Sequence, residues 1–253
     1  MIRKCSINEL DILNKYLYKR KELNLFVISD IEIFGFDNPN LEIFMDFDRE
    51  IKTVYLRFFD NLCIVSYDKI FNLSFIQNMV DEHLILNISG EKDLISLIKL
   101  DNFDIKNCYF SALDQLQVKV DTLGVEALSI DKLQEYLDKS NEVFNISTNY
   151  EATKAEMEKG SKHIFVYKDN GNVVSGVSSS AESKELAMLI GVFTVEKYRR
   201  QGLALKCVYA ICEKLLNEGK TVCLFYDNPD AAKMYKKIGF KFVGDFSILK
   251  RIS

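Results

Sequence analysis

Proline is scarce in this sequence, with two residues in 253. A proline-rich linker is therefore excluded, and the joint between any two halves is short, with the halves packed together. Histidine is equally scarce. His83 and His163 are the only two, and the six cysteines (Cys5, Cys63, Cys108, Cys207, Cys212 and Cys223) include no Cys-x-x-Cys pair. No metal is expected from such a set, and no histidine lies near a cysteine to make it a nucleophile. The cysteines read as reduced, buried small hydrophobes of a cytoplasmic protein. No run approaches the roughly twenty apolar residues of a membrane helix. Met1-Ile2-Arg3-Lys4 moves straight into charge, unlike a secretory signal. An excess of positive charge is also missing: the net charge of −4 argues against a general nucleic-acid binder. Neither membrane nor nucleic acid is expected as a partner.

What is present is the profile of a soluble globular protein, with 48% apolar and 28% charged residues. The length allows one large domain or two ordinary ones. Ser6 and Glu9 form a capping box ahead of a helix to Leu23, and a second short helix falls between Asn24 and Phe36. Leu41–Phe47, Ile51–Phe59 and Asn61–Tyr67 read as three strands of a meander. A helix over Phe71–Glu82, a strand over 83–88, a helix over Lys92–Lys99 and a strand over Lys106–Leu113 follow. Gln117-Val118-Lys119-Val120 alternates like a strand. Helices are expected over Ser129–Lys139 and Asn149–Lys159. A hairpin then runs from Lys162–Lys168 through Asn170-Gly171 to Asn172–Ser180. Gly176 with Ser178, Ser179 and Ser180 keeps its second strand thin, leaving either room for a substrate or a simple edge. The order of strands and helices predicts an α/β chain on a mixed sheet. The domain boundary is placed near residue 115, giving 1–115 and 116–253.

The most informative stretch is Ala187–Phe240. A strand ending in Val192-Phe193-Thr194-Val195 feeds Tyr198-Arg199-Arg200-Gln201-Gly202-Leu203-Ala204-Leu205 and a helix to Leu216. A strand running straight into a helix leaves the helix's first N–H groups unpaired, and those groups and the helix dipole favour an anion. Gly202 lets a phosphate approach the backbone without meeting a Cβ, and Arg199 and Arg200 add positive charge. The wording is neither a Walker loop, since no Gly-Lys-Ser/Thr follows, nor the dinucleotide fingerprint, which needs two more glycines. After the next strand, Thr221–Tyr226, comes Asn228-Pro229-Asp230-Ala231-Ala232-Lys233-Met234-Tyr235-Lys236-Lys237-Ile238-Gly239-Phe240. Asn228 reads as an N-cap and Pro229 as the first helical residue.

Arg199-x-x-Gly202-x-Ala204 after a strand resembles the coenzyme A loop of the GNAT superfamily of N-acetyltransferases. Asn228-x-x-Ala231-x-x-x-Tyr235-x-x-x-Gly239-Phe240 resembles that superfamily's next motif. Together they cover about a quarter of the chain, and the two in this order are specific where either alone is weak. The surrounding wording is most similar to bacterial acetyltransferases related to glycine N-acyltransferase, which carry an extra N-terminal domain. The resemblance implies a GNAT fold, with the first half a degenerate copy or an unrelated α+β domain. It implies acetyl-CoA as co-substrate and direct transfer of an acyl group to a primary amine. By the same match Val192, Phe193 and Thr194 lie along the pantetheine arm. Backbone groups of Arg200, Gln201, Gly202, Leu203, Ala204 and Leu205 hold the pyrophosphate, with Arg199 adding a side-chain contact. Asn228 sits beside the arm, and Tyr235 protonates the departing thiolate. A general base is not identified, because Ala187–Val195 holds no carboxylate; a bound water is the simplest candidate. Two other readings stay open here: a non-catalytic sensor of acyl-CoA, and an assembly subunit whose first half dimerises. The acceptor reads as a small molecule before a protein, and the chain as monomer or homodimer.

Overall fold

In the computed structural model, which describes residues 1–252, the elements follow from local chemistry. A short strand β1 (Ile2–Lys4) precedes the Ser6–Glu9 capping box, in which the Glu9 carboxylate accepts from the Ser6 N–H at 2.8 Å. Helix α1 (Leu10–Leu17) buries Leu13, Tyr16 and Leu17. The single helix expected to Leu23 is broken by a 3-10 turn at Tyr18–Arg20, and α2 (Leu25–Phe34) resumes after it. The meander is β2 (Leu41–Asp48), β3 (Glu50–Phe58) and β4 (Asn61–Val65). Then come α3 (Leu73–His83), β5 (Asn87–Glu91), the one-turn α4 (Lys92–Ile95) and β6 (Phe103–Leu113). The strand expected at 83–88 begins later, because His83 still belongs to α3 and Leu84 closes that helix in the left-handed conformation (φ 50°).

The second series is β7 (Val125–Ala127), α5 (Leu133–Phe144), α6 (Tyr150–Glu158), β8 (Ile164–Asp169), β9 (Asn172–Ser180) and β10 (Leu186–Thr194). It continues with α7 (Leu203–Asn217), β11 (Thr221–Tyr226), α8 (Pro229–Ile238) and β12 (Lys241–Arg251). The two series have the same order of elements, strand by strand and helix by helix. Gln117–Val120 is not a strand. Its alternation finds no strand partner there; instead the Gln117 N–H donates to the Ile238 carbonyl at 2.8 Å, so the segment braces the end of α8.

The chain forms two compact units. Unit 1 is Met1–Phe110 together with the segment from Phe242 onward, and unit 2 is Ser111–Lys241. The sequence reading placed all of 116–253 in one domain; in the structure the last strand finishes the sheet of unit 1, with β12 antiparallel to β5 through Phe246–Lys250. Alternation marks a strand but does not name its partner.

In unit 1, β1 to β4 are antiparallel neighbours in chain order, and β4 pairs parallel with β5 across α3. Ile76, Met79 and Val80 of α3 close over Leu62, Ile64 and Ile88 of the sheet. In unit 2, β7 to β10 are antiparallel in order, and β10 pairs parallel with β11 across α7. Cys207, Val208, Ile211 and Leu215 of α7, with Tyr235 and Ile238 of α8, cover Val177, Ala187, Leu189, Val222 and Leu224 on one face. Leu133, Tyr136 and Leu137 of α5 pack with Val166, Val173 and Phe193 in a second cluster. Each such fully buried aliphatic contributes about 1.5–3 kcal/mol, so α7 is held by its apolar stripe. Gly176 does not open a substrate space in β9: a Cβ there would lie 2.9 Å from Tyr136 and 3.1 Å from Phe193, so the glycine is a close-packing residue.

Candidate functional site

The site begins where β10 and β11 part. Their parallel pairing runs from Leu186–Leu189 against Thr221–Leu224 and stops there. β10 continues to Thr194 against β9 alone, across a bulge between Ile190 and Phe193. Gly191 sits in that bulge at φ 61°, a conformation open to glycine. The backbone edge of Val192, Phe193 and Thr194 on the β11 side therefore has no ladder partner. Ser175 stiffens the edge from the other side, its hydroxyl donating to the Phe193 carbonyl at 2.7 Å.

Beyond Thr194 a 3-10 turn (Glu196–Tyr198) carries the chain to the start of α7. Tyr198 is tied to the β8–β9 hairpin, its hydroxyl donating to Asp169 at 2.8 Å. Arg199 is extended, Arg200 is left-handed (φ 62°), and Gly202 is left-handed (φ 78°) as the N-cap of α7. These turns bring the chain directly onto the N-terminus of α7, where the dipole favours an anion. Gly202 offers no capping side chain, and a Cβ built on it meets nothing within 4 Å. The first helical bond is donated by Lys206 to the Gly202 carbonyl, which leaves the N–H groups of the preceding turn without helical partners.

The opposite wall is α8. The Asn228 side chain accepts from the Asp230 N–H at 2.9 Å, and Pro229 occupies the first turn. Tyr235 is buried (6% exposed), packed 5.7 Å from the rings of both Tyr226 and Phe240. Its hydroxyl makes no hydrogen bond to another described residue, and burial pushes its pKa up to about 12. Gly239 ends the helix at φ 126°, where a Cβ would strike Gln117 at 2.6 Å and the Gln115 carbonyl at 2.9 Å.

These walls enclose a cleft of about 550 Å³ lying wholly within unit 2. It brings together Val192, Phe193, Thr194, Arg199, Arg200, Gly202, Leu203, Ala204, Leu205, Asn228 and Tyr235. Gln201, named with them from the sequence, does not line it. Tyr198, Asp230, Lys233, Met234 and Lys237 do, and the sequence reading passed over them. The helical spacing from Asp230 through Lys233 to Lys237 was the available signal.

Glu182 lies just before β10, at the end of the strand opposite the cleft, roughly 25 Å of strand away. Burial would raise its pKa, but hydrogen bonds from His163 (2.8 Å), Lys220 and Ser179 hold it down at about 2. It is an anion bound to fixed partners and not a proton acceptor. His163, Glu182 and Glu218 bring potential ligand atoms within 4.8 Å of one another, yet the Lys220 ammonium pairs with both carboxylates and supplies the positive charge there. No described helix is long and apolar enough to cross a membrane.

No curated protein matches the sequence. Solved structures match the fold. A GCN5-related N-acetyltransferase from Sphaerobacter thermophilus is similar at 13% identity with TM-score 0.66, covering 99% of this chain and 95% of its own. A Drosophila protein reaches TM-score 0.71 at 15% identity, covering 99% and 98%. A tandem GNAT protein from the clavulanic acid biosynthesis pathway reaches 0.57 at 10% identity, again covering 99% and 98%. The family described as GNAT acetyltransferase matches residues 96–249, more than half of the sequence and all of the cleft. On that match, the chain belongs to the GNAT acetyltransferase family.

Proposed function

We propose that this acetyltransferase moves the acetyl group of acetyl-CoA directly to a primary amine of a small molecule, with Tyr235 as the proton donor. One observation carries the reading: the unpaired edge of Val192–Thr194 and the largely buried Tyr235, whose hydroxyl has no hydrogen-bond partner among the described residues, line the same cleft. The residues fit an extended thioester-bearing nucleotide. The open space before Gly202 is the room a pyrophosphate needs, and the peptide edge of β10 matches the amide groups of a pantetheine arm. Acetyl-CoA would supply an acyl group already activated as a thioester. The chain's own residues bind, orient and protonate. Arg199 and Arg200 bring two positive charges to the phosphate end. Arg199 is held by its Nε–H, which donates to the Thr194 carbonyl at 3.2 Å. Asn228, held as a cap, keeps the start of α8 at the side of the arm.

Attack by the amine expels a thiolate, which needs a proton. Tyr235, with its pKa near 12, keeps its proton at Oη at every physiological pH and has no competing partner for it. Among the described residues lining the cleft, Asp230 is the sole carboxylate, and it stands in the first turn of α8, five residues before Tyr235. A bound water therefore takes the proton from the amine.

Calorimetry with acetyl-CoA, followed by an acceptor screen on wild type and Tyr235→Phe, tests the reading. The expected result is one acetyl-CoA bound per chain, and turnover that the Phe variant loses while still binding. No binding of acetyl-CoA would overturn the proposal, and binding without turnover of any amine would reduce the protein to a sensor.

A further inference from the structure

The charge of the cleft runs against that of the protein. The chain carries a net −4, yet the described residues lining the cleft include four cations, Arg199, Arg200, Lys233 and Lys237, and one anion, Asp230. The two arginines stand on the turn before α7. The two lysines stand on the other wall, four residues apart on one face of α8. Lys233 has a partner, Asp230, in a pair whose side chains are 82% and 79% exposed; pairs of that kind are weak and readily exchanged. Lys237 has no carboxylate within ion-pair distance among the described residues. One pyrophosphate at the start of α7 accounts for the arginines and leaves the lysines unassigned.

Building on the acetyl-CoA reading, we propose that Lys233 and Lys237 hold the 3′-phosphate of coenzyme A, making the protein selective for it over dephospho-coenzyme A. The 3′-phosphate is a second, separate dianion on the same ligand, and it requires a second cationic site at a distance from the pyrophosphate. Two ammonium groups one helical turn apart can both point their N–H donors at one phosphate, whose oxygens accept strongly. Because the site is at the rim and exposed, its contribution is screened by salt.

The test is calorimetric and needs no turnover: coenzyme A and dephospho-coenzyme A are titrated into wild type, K233A/K237A and the control K236A. Lys236 lies on the same helix but outside the cleft lining. Wild type is expected to bind coenzyme A about tenfold more tightly than the dephospho form, the effect of one exposed charge-assisted contact. That ratio should fall toward one in K233A/K237A, stay near ten in K236A, and shrink as salt is raised. Equal wild-type affinity for the two ligands overturns this proposal and leaves the acetyl-CoA reading standing, as does a ratio unchanged in the double variant. If neither ligand binds wild type, the acetyl-CoA reading itself falls, and this inference with it. Circular dichroism of each variant checks that α8 is retained.

Discussion

In unit 1, α3 joins the parallel strands β4 and β5 in the same way that α7 joins β10 and β11 in unit 2. In both, the parallel pairing stops before the first strand of the pair ends. The difference lies in what surrounds the gap. In unit 2 the helix starts on Gly202, which has no side chain to satisfy the first N–H groups. In unit 1 it starts on Asn72, whose side chain accepts from the Phe75 N–H at 2.9 Å. The unit 2 gap is flanked by α8, ten residues long with Tyr235 in its second turn. Its counterpart α4 is four residues long and has no tyrosine. In unit 1, β4 and β5 also stay close past their last pair: a Cβ on Gly90 would sit 2.5 Å from the Ile64 carbonyl oxygen. The space between α2, β4 and β5 there is about 10 Å³, no more than one water. Topology alone therefore does not make a cleft; an uncapped helix start, a gap left wide and a long flanking helix do.

The largest effect should come from giving unit 2 an occupied helix start. Gly202→Glu places a carboxylate in the open space before α7. Acetyl-CoA affinity is expected to fall more than a hundredfold through repulsion of the phosphates, while the fold persists, since nothing lies within 4 Å of the new Cβ. Gly202→Ala pays only the left-handed conformation, about 1–2 kcal/mol, and should bind with a much smaller loss. Equal binding by the Glu variant and wild type in calorimetry would move the phosphate site elsewhere.

Next in size is Tyr235→Phe. Loss of a positioned general acid lowers kcat by about 10²–10⁴-fold, with acetyl-CoA affinity kept, because the ring contacts to Tyr226 and Phe240 survive. Since burial holds the Tyr235 pKa near 12, its deprotonation cannot produce an alkaline loss of kcat around pH 8. A limb there that vanishes in the Phe variant would contradict the assigned role.

These two residues were legible in the sequence because each proposed role draws on a property of its own type. Glycine alone gives free access to a left-handed N-cap with open space in front, and tyrosine alone could offer a phenolic proton at that helical position. Most strands and helices were legible for a similar reason, through alternation and caps such as Ser6–Glu9. What escaped depends on partners far along the chain. Gln117–Val120 alternates as a strand would, but its N–H is used by Ile238. The pairing of β12 with β5 is likewise a matter of tertiary choice. Lys233 and Lys237 look like any solvated helix face until the cleft wall is in view.

A third prediction separates the stability of unit 2 from its cleft. Glu182 is anionic, buried and held by His163, Lys220 and Ser179. Its pKa drops from 4.5 to about 2 on folding; at 1.36 kcal/mol per unit this is about 3 kcal/mol of stability. A depressed carboxylate stabilises in full above the unfolded value and loses that contribution as pH falls. Glu182→Gln should therefore be about 3 kcal/mol less stable at pH 7. Its denaturation midpoint should converge with that of wild type as pH falls from 4.5 toward 2. Acetyl-CoA affinity should not move, because the cluster lies at the far end of β10. Urea titrations at pH 7 and 3 read this directly, and a constant difference across that range would show that the charge is not the stabilising feature.

The smallest functional effect is expected in unit 1, at the residue that marks its closed gap. Gly90→Ala sets a methyl 2.5 Å from the Ile64 carbonyl and 3.2 Å from Ile95, so strands β4 and β5 must shift apart. Overpacking of this kind costs about 1–3 kcal/mol, and the loss should appear in thermal denaturation. Acetyl-CoA should still bind at one per chain with wild-type affinity, because every residue lining the proposed donor cleft belongs to unit 2. A stoichiometry of two in wild type, or a Gly90→Ala variant that loses acetyl-CoA, would mean that unit 1 holds a donor site of its own. The contrast between a capped, closed gap and an uncapped, open one would then fail as an account of where the coenzyme goes.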